Sequence, residues 1–259
     1  MTADDDERLV GADRVLALLV ELAQHPEGAS LDDLAATRGG SKSTIHRALG
    51  SLVRSGLADQ SGRGHYVLGD EFVRLAFQYH AGRPVSARIE PVLRELTERF
   101  GETAHFGVLE GRDVVYRAKR DPSVGAVRLT STVGGRNPAA TTAIGKVLLA
   151  ERLTTRADVE RWLDGHPLEA RTANSITDLD AFVDELRLTR ERGYGVDDQE
   201  NELGVNCLAL AVRLDGGPVA SGAISVSGLA FRRPLAQLVE ARGEIAAILT
   251  RALGPDALR

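Results

Sequence analysis

The sequence predicts an α+β protein with an N-terminal winged helix-turn-helix, a linker helix and a larger C-terminal domain built on an antiparallel sheet. Residues 31–68 show two helical patterns separated by glycines and followed by a short hairpin pattern. Beyond residue 101, alternating apolar runs typical of strands mix with helical patterns, without the regular alternation of a parallel α/β fold. The expected organisation is a disordered tail at residues 1–8, a first domain at 9–69, a linker helix at 70–82 and a second domain at 83–259.

Two helices are predicted at the start of the first domain. Residues 10–24 place their apolar side chains on one helical face, and Pro26 lies in the segment that ends this helix. Leu31 and Leu34 begin a second helical pattern. Gly39 and the glycine after it then supply the backbone freedom that a tight turn between two crossing helices requires.

The third predicted helix carries a polar, basic outer face. Ser41 is expected to cap it, because its hydroxyl can accept a hydrogen bond from an unpaired amide of the first turn. Its apolar stripe packs inward. Gly56 is expected to end the helix in a left-handed conformation, and residues 57–59 and 65–68 to pair as a two-stranded wing.

The distribution of charge indicates that this surface binds DNA. Residues 38–66 contain five basic residues and one acidic residue, whereas residues 1–69 as a whole contain seven basic and ten acidic residues. Positive charge is therefore concentrated where a recognition helix and a wing meet phosphate. The alternatives are a structural helical hairpin for the segment, packing at the helix seam for Thr44 and plain surface for His46. The predicted DNA-binding residues are Lys42, Ser43, Thr44, His46, Arg47, Arg63 and His65.

Composition is that of an ordinary globular protein and excludes several classes. The formal charge of −5 argues against a protein that coats nucleic acid nonspecifically. A single cysteine, Cys207, excludes an intrachain disulfide framework and a cysteine-based zinc cluster, and it fits a reducing compartment. The N-terminal residues lack a signal-peptide pattern, and no stretch approaches the ~20 apolar residues of a membrane span. We therefore expect a cytoplasmic protein without a membrane partner.

The second domain is expected to mix strands and helices. The last two strands are joined by the short turn at residues 215–218 and should form an antiparallel hairpin. The predicted strands are residues 103–109, 114–117, 124–130, 207–214 and 219–226, and the predicted helices are residues 85–100, 141–153, 157–163, 178–192 and 235–253.

The two faces of the final hairpin differ in side-chain size. One face is bulky and apolar and should lie under a helix: Leu208, Leu210, Val212, Ile224 and Val226. The other face is made of small residues: Cys207, Ala209, Ala211, Ser221, Ala223, Ser225 and Ser227. Small side chains leave space above a sheet, so either a loop or helix packs very close to it or a cavity with serine hydroxyls remains.

Two neighbouring segments add polar groups. Residues 194–202 form a densely acidic loop that either faces a ligand or is simply solvated. Thr141 and Thr142 open a helix whose unpaired amides and partial positive charge suit a small carboxylate, unless the threonine hydroxyls only cap it.

An enzymatic function has little support in the residues. Gly145 and Lys146 resemble part of a phosphate-binding loop, but Val147 follows the lysine and Ala140 stands where a glycine is required. Cys207 begins an apolar strand with no activating base nearby in sequence. The six histidines show no paired metal-ligand spacing, and the acids of the acidic loop either hold a hard cation or are solvated. No catalytic residue, metal or cofactor is predicted.

Several ordered motifs resemble the isocitrate lyase regulator (IclR-type) family of bacterial transcription factors, and the resemblance spans nearly the whole chain. The motifs are STIHRALGSLVRSGL in the third helix, GET-H ending at His105, VGGRNPAATTAIGKVLLA at residues 133–150, YGVDDQENELGVNCLA at residues 194–209 and ISVSG at residues 224–228.

The resemblance implies a C-terminal effector domain similar to GAF and profilin-like folds, in a homodimer or a dimer of dimers. Two positions depart from the family. Many members have a histidine where this chain has Ala140, and a glycine can occupy the position of Ala143, so the identity of the effector is not carried over. The effector pocket implied by the resemblance consists of Ala143, Ile144, Asp197, Cys207, Ser225 and Ser227.

The resulting expectation is a sequence-specific transcription regulator whose partners are double-stranded operator DNA and a small organic or aromatic acid. The helical pattern between Glu71 and Tyr79 is the expected lever that transmits effector binding. The alternatives are a DNA-binding architectural protein with no ligand and an enzyme with an accessory DNA-binding domain.

Overall fold

Two units make up the chain in the computed structural model, Met1–Arg83 and Pro84–Arg259. The structure describes residues 11–81, 84–122, 129–214 and 217–258. The first unit is a winged helical module and the second is an α+β domain with an antiparallel sheet, so the predicted fold class is confirmed.

The first unit combines three packed helices with a small sheet. Its strands are antiparallel in the order β1-β3-β2, so the predicted wing is present and gains a third strand. Its core is apolar and includes Leu18, Leu22, Ile45, Leu49 and Leu52. The elements are α1 (Ala12–Leu22), β1 (Ala29–Ser30), α2 (Leu31–Arg38), α3 (Lys42–Arg54), β2 (Ala58–Gly62), β3 (His65–Leu68) and α4 (Asp70–Ala81).

Local hydrogen bonds fix the bounds of α2 and α3. The Ser41 hydroxyl accepts a hydrogen bond from the Thr44 amide, as predicted. Ser30 caps α2 in a reciprocal arrangement with Asp33, which was not predicted. Gly56 follows α3 with φ of +71°, a conformation that other residues rarely adopt. These caps set the length and direction of the basic helix.

The second unit is built on a six-stranded sheet. The strand order is β6-β5-β4-β9-β8-β7, and every neighbouring pair is antiparallel. The elements are α5 (Pro84–Phe100), β4 (Thr103–Glu110), β5 (Asp113–Arg120), β6 (Arg136–Pro138), α6 (Ala143–Arg152), α7 (Arg156–Leu163), α8 (Leu179–Arg192), β7 (Gly195–Asp198), β8 (Val205–Val212), β9 (Gly222–Leu229), α9 (Leu235–Glu240) and α10 (Arg242–Leu253).

The two faces of the β8–β9 hairpin are covered as their side-chain sizes predict. The bulky residues predicted to lie under a helix all belong to one core, which they share with α5, α9 and α10. On the other face, α6, α7 and α8 form a second core. Register pairs Cys207 with Ser227 and Ala209 with Ser225, so the small residues meet across the two strands. Ser221 precedes β9 and instead accepts a hydrogen bond from the Leu214 amide.

Five elements differ from the sequence-based expectations. Residues 195–198 of the predicted acidic loop are the edge strand β7, whose two acids obscure the apolar alternation of a strand. The short strands β1 and β6 were not predicted. The predicted helix at residues 235–253 is two helices joined at Ala241, because the apolar spacing continues across a tighter turn. Most of the predicted strand at 124–130 lies outside the described residues, and residues 129 and 130 are not in a strand.

Helix α6 packs so closely against β7 that backbone atoms of the two elements are in contact. A Cβ atom at Gly195 in β7 would overlap the carbonyl oxygen of Ala143, and one at Gly145 would overlap the backbone of Ala139. Glycine is therefore required at both positions for space. This contact brings the first turn of α6 onto the small-residue face.

We expect the substitution Gly195→Ala to destabilise the protein by about 2 kcal/mol, because the added methyl group forces α6 away from β7. Urea unfolding followed by circular dichroism measures the change. The matched control is Gly243→Ala on the exposed side of α10, where a Cβ meets no atom within 4 Å and the better helix former should be neutral or stabilising by up to about 1 kcal/mol. Equal stability of the two variants would contradict the close contact.

Candidate functional site: a basic helix surface and a small cavity

Five of the seven predicted DNA-binding residues are exposed: Lys42, Ser43, His46 and Arg47 on α3 and Arg63 at the tip of the wing. Among the described residues, the Arg47 guanidinium has no hydrogen-bond or ion-pair partner. Arg47 and Arg63 are therefore available to an anionic partner.

The other two predicted residues are partly engaged within the module. The Thr44 hydroxyl lies 2.8 Å from the Ser41 hydroxyl at the start of α3, and Thr44 is half-buried. His65 is half-buried as well, and its Nδ1 lies 2.8 Å from the Ser61 hydroxyl. Both residues are thus positioned by internal hydrogen bonds as well as by their place on the surface.

Two of the cations counted in the sequence are neutralised by acids of the same module. Lys42 lies 2.7 Å from Asp32 in an exposed pair. Arg38 lies 2.8 Å from Glu21, and hydrogen bonding from His25 together with Arg38 holds the pKa of that carboxyl below its ordinary value. The acids precede these cations in the chain by ten residues or more, so a local charge count could not show the pairing. The freely available positive charge is smaller than the sequence indicated.

The small-residue face of the sheet is partly covered and partly open. Helix α6 packs on the half that carries Ala209 and Ala223. Over the half that carries Cys207, Ser225 and Ser227, a cavity of about 150 Å³ remains. Both outcomes considered for this face, close packing and a cavity, therefore occur on different parts of it. The described residues that line the cavity are His105, Tyr116, Leu129, Thr130, Ser131, Thr132, Gly135, Arg136, Asn137, Thr142, Ala143, Ile144, Arg171, Asp197, Asn201, Glu202, Val205, Cys207, Ser225 and Ser227.

All six residues predicted for the effector pocket lie on this one cavity. Ala143 and Ile144 belong to the first turn of α6. The Thr142 hydroxyl accepts a hydrogen bond from the Gly145 amide at 3.0 Å, so threonine capping does occur, but it satisfies one amide only. The first amides of a helix have no partner within the helix. The amides of Ala143 and Ile144 therefore bring partial positive charge to the cavity.

Asp197 forms the acidic side of the cavity. It is 2% exposed, and its Oδ1 accepts hydrogen bonds from the amides of Glu200 at 2.7 Å and Asn201 at 3.3 Å. Burial raises the pKa of this carboxyl to about 7, against the opposing effect of the two amides. Near neutral pH, Asp197 can therefore either carry a proton and donate it in a hydrogen bond or accept as an anion.

A buried ionic cluster holds the segment that carries Asp197. Lys146 on α6 is 0% exposed and donates a hydrogen bond to Glu200, and its ammonium lies 3.7 Å from Glu185 on α8. Arg192 donates to Glu185 at 2.7 Å. Desolvation raises the pKa of Glu200 and Lys146 opposes this shift. The cluster ties residues 197–202 to α6 and α8.

The floor of the cavity contains polar residues that were not predicted as site residues. His105 lies 4.9 Å from Tyr116 between ring centres, and the Asn137 amide donates to the Tyr116 hydroxyl at 3.1 Å. Burial, followed by the nearby Lys119, lowers the pKa of His105 to about 3. Burial raises the pKa of Tyr116 to about 12. His105 pairs with Ser225 in the sheet. Aligning the GET-H and ISVSG motifs as two paired strands, with side chains alternating between the faces, could have identified it.

The chemistry of Cys207 and of the acidic residues does not resemble a catalytic or metal centre. Cys207 is a partly buried residue, but desolvation of its thiol and the neighbouring Asp197 raise the pKa of that thiol well above its ordinary value. It therefore remains the weakly nucleophilic thiol. Among the residues that the structure describes, no three His, Cys, Asp or Glu side chains are grouped to hold a metal ion. None of the described helices is long and apolar enough to cross a membrane.

Comparison with known proteins finds two matching domain families. The IclR helix-turn-helix domain matches residues 11–62, and the family described as bacterial transcriptional regulator IclR C-terminal matches residues 77–250. The HTH-type transcriptional regulator XynR of Escherichia coli is 33% identical over 246 residues, which cover 93% of this chain and 96% of that protein.

Crystal structures that resemble this fold include the following two. An IclR transcriptional regulator from Alicyclobacillus acidocaldarius superposes with a TM-score of 0.75 at 26% identity, covering 93% of this chain and 98% of that one. An IclR homologue from Microbacterium hydrocarbonoxydans, solved in complex with 4-hydroxybenzoate, superposes with a TM-score of 0.72 at 23% identity, covering 92% and 99% of the two chains.

Proposed function

Since this chain belongs to the IclR family of bacterial transcriptional regulators, we propose that it binds specific operator DNA through α3 and the wing, and that a small organic or aromatic acid in the cavity changes this binding. The cavity is the main observation in support of a small-molecule effector. It places the first two residues of α6, three small polar side chains and a buried acid around one space of about 150 Å³.

In this proposal, α3 enters the major groove and the wing contacts the backbone or the minor groove. Lys42, Ser43 and His46 contribute phosphate contacts that fix register, and these carry no sequence information directly. Arg47 is the residue best suited to read a base, because its guanidinium has no partner among the described residues and matches the two acceptors of guanine. Arg63 supplies the wing contact.

An acid ligand fits the charges around the cavity. The amides at the start of α6 favour a carboxylate, and a protonated Asp197 can donate a hydrogen bond to it. Arg136 is already paired with Glu110 and Asp113, whereas the one charged partner of the Arg171 guanidinium among the described residues is Glu169, at a long distance of 3.8 Å. A cavity of about 150 Å³ is comparable to one that holds a benzene molecule. At 23% identity, the Microbacterium structure supports the shared fold, so the ligand class proposed here rests on this lining.

Effector binding changes operator affinity only if the ligand binds the DNA-bound and free states with different affinity.

We propose that the regulator acts in the cytoplasm as a homodimer or a dimer of dimers. Exposed apolar side chains in the first unit support self-association: Leu16 and Val20 on α1, and Val73, Leu75 and Phe77 on α4. Sedimentation equilibrium tests this; a monomer at operator-binding concentrations would contradict it.

The substitution Arg47→Ala should weaken operator binding by about 1 to 3 kcal/mol and relax sequence preference at one base pair, because it removes the proposed guanine contact. Titration of operator and scrambled duplexes by fluorescence anisotropy measures both effects. The matched control is Arg161→Ala, which removes an exposed arginine of α7 and should leave binding unchanged. Wild-type affinity and preference in Arg47→Ala would refute the role given to this residue.

The substitution Ser225→Leu should abolish effector binding and leave operator binding intact, because the larger side chain fills the cavity. Ser225→Ala leaves the space open and should bind the effector more weakly, by about 1 kcal/mol for one lost hydrogen bond. The effector is first chosen as the acid that raises the melting temperature of the wild type most in a thermal-shift assay. Isothermal titration calorimetry with this acid then compares the wild type, Ser225→Leu and Ser225→Ala. Normal binding by Ser225→Leu would place the effector elsewhere.

Affinity for an acid effector should fall as pH rises through about 7. The pKa of Asp197 in the free protein is about 7, so the proton is largely in place below that pH and must be taken up above it, at a cost of up to tenfold in affinity per pH unit. The shifted pKa values keep His105 neutral and Tyr116 and Cys207 protonated over this range.

Calorimetry between about pH 6 and 8.5 tests this expectation, with Asp197→Asn as the control. Asparagine can still accept the two amide hydrogen bonds but does not titrate, so the dependence should disappear. Glu200, Glu202, Lys146, Arg136 and Arg171 are described charged groups near Asp197 or on the same cavity, and their effects would persist in the variant. A pH dependence that is identical in both proteins would contradict the assignment to Asp197.

A further inference from the structure

His105 lies on the floor of the cavity and has no role in the function proposed so far. It is 3% exposed, and it pairs in the sheet with Ser225. Its Nδ1 lies 3.4 Å from the Ser225 hydroxyl and 3.5 Å from the Ser227 hydroxyl. Both distances are long for hydrogen bonds. This ring nitrogen and the two hydroxyls therefore retain capacity for a further polar partner in the cavity.

The other ring nitrogen of His105 is held by a defined segment. Its Nε2 lies 2.8 Å from the Ser131 hydroxyl. Ser131 belongs to residues 129–132, which line the cavity. The Lys119 ammonium holds this segment by donating hydrogen bonds to the carbonyl oxygens of Leu129 at 2.8 Å and Ser131 at 2.7 Å. The Thr130 hydroxyl also donates to Glu202 at 3.0 Å. The hydroxyl that faces Nε2 is thus held in place.

The histidine is uncharged, because burial and Lys119 lower its pKa to about 3. A neutral imidazole has one donor and one acceptor nitrogen, and the hydrogen bond at Nε2 determines which role Nδ1 takes. A neutral ring gives no charge to pair with a carboxylate, whereas it matches a hydroxyl or carbonyl group well. The positive charge that suits a carboxylate comes instead from the first turn of α6, with Arg171 also on the lining.

Resting on the proposed function, we infer that His105 determines effector specificity by binding a hydroxyl or carbonyl group of the ligand while the ligand carboxylate lies at the start of α6. The ligand class is then a hydroxy- or oxo-carboxylic acid small enough for about 150 Å³. A plain monocarboxylic acid leaves Nδ1 and the two serine hydroxyls without that partner.

Matched pairs of acids that differ by one hydroxyl test this inference on the full chain. Calorimetry compares glycolate with acetate, 3-hydroxybutyrate with butyrate, and 4-hydroxybenzoate with benzoate. In at least one pair the hydroxylated acid should bind about tenfold more tightly, as expected for one well-placed hydrogen bond. His105→Phe should remove this preference, and His105→Gln, which keeps polar atoms, should retain part of it.

The matched control is His166→Phe, since His166 is an exposed histidine of the same unit and does not line the cavity. It should keep the full preference. A merely structural effect of His105→Phe would weaken both members of a pair equally and leave the ratio of their affinities unchanged. Equal affinities within every pair in the wild type, or a preference that survives in His105→Phe, would overturn the inference.

If His105→Phe does not fold, His105→Gln and Ser131→Ala decide the question. Ser131→Ala keeps the ring but removes the hydroxyl that holds Nε2, so the preference should fall. An undiminished preference in both variants would overturn the inference. If none of the six acids binds the wild type, this inference falls, while the proposed acid effector is judged by the Ser225→Leu calorimetry and operator binding by its dependence on Arg47.

Discussion

The backbone contact between α6 and the sheet determines where everything else around the cavity lies. Gly195 in β7 allows the Ala143 carbonyl oxygen of α6 to approach the sheet, and Gly145 in α6 allows the backbone of Ala139 to approach the helix. The helix then begins at Ala143, partway across the small-residue face, with its first turn beside the cavity. A larger residue at Gly195 would push α6 away from β7 and change that space. The cavity is therefore a consequence of close packing beside it.

Polar interactions hold the acidic wall of the cavity at residues 197–202. Asp197 and Asp198 pair with β8, the hydroxyls of Thr172 and Ser175 donate to the carbonyl oxygens of Gln199 and Glu200, and Lys146 pairs with Glu200. Removing charges from water is costly, so such a cluster adds little net stability compared with an apolar one. Its value here is positional, because an ionic cluster with defined partners holds a carboxyl at one place in the cavity. The same burial that makes the cluster costly also brings the pKa of Asp197 near neutrality.

Period-two alternation was enough to predict the two faces of the β8–β9 hairpin, because the direction of a side chain in a strand depends only on its position. It could not show that α6 covers Ala209 and leaves Cys207 open, since that depends on how closely two distant segments approach. The family resemblance named the six pocket residues that now lie together. His105 was missed because its strand is paired with β9 across more than a hundred residues of sequence. The edge strand β7 was missed because acids interrupt its alternation.

On the basic surface, too, contacts between residues distant in sequence could not be predicted from a local count of charges. These contacts affect how the proposed DNA binding works. Pairing of Arg38 with Glu21 reduces the free positive charge of one module, and Lys42 must exchange its exposed partner Asp32 for phosphate before it contributes a contact. Each phosphate contact that is lost lowers the counterion release that drives nonspecific binding. A single module of this kind has few such contacts, so weak attraction to random duplex follows. Two modules on half-sites one helical turn apart add their contacts only where both sites are present. Low charge per module thus favours discrimination by spacing and by base contacts over general attraction to nucleic acid.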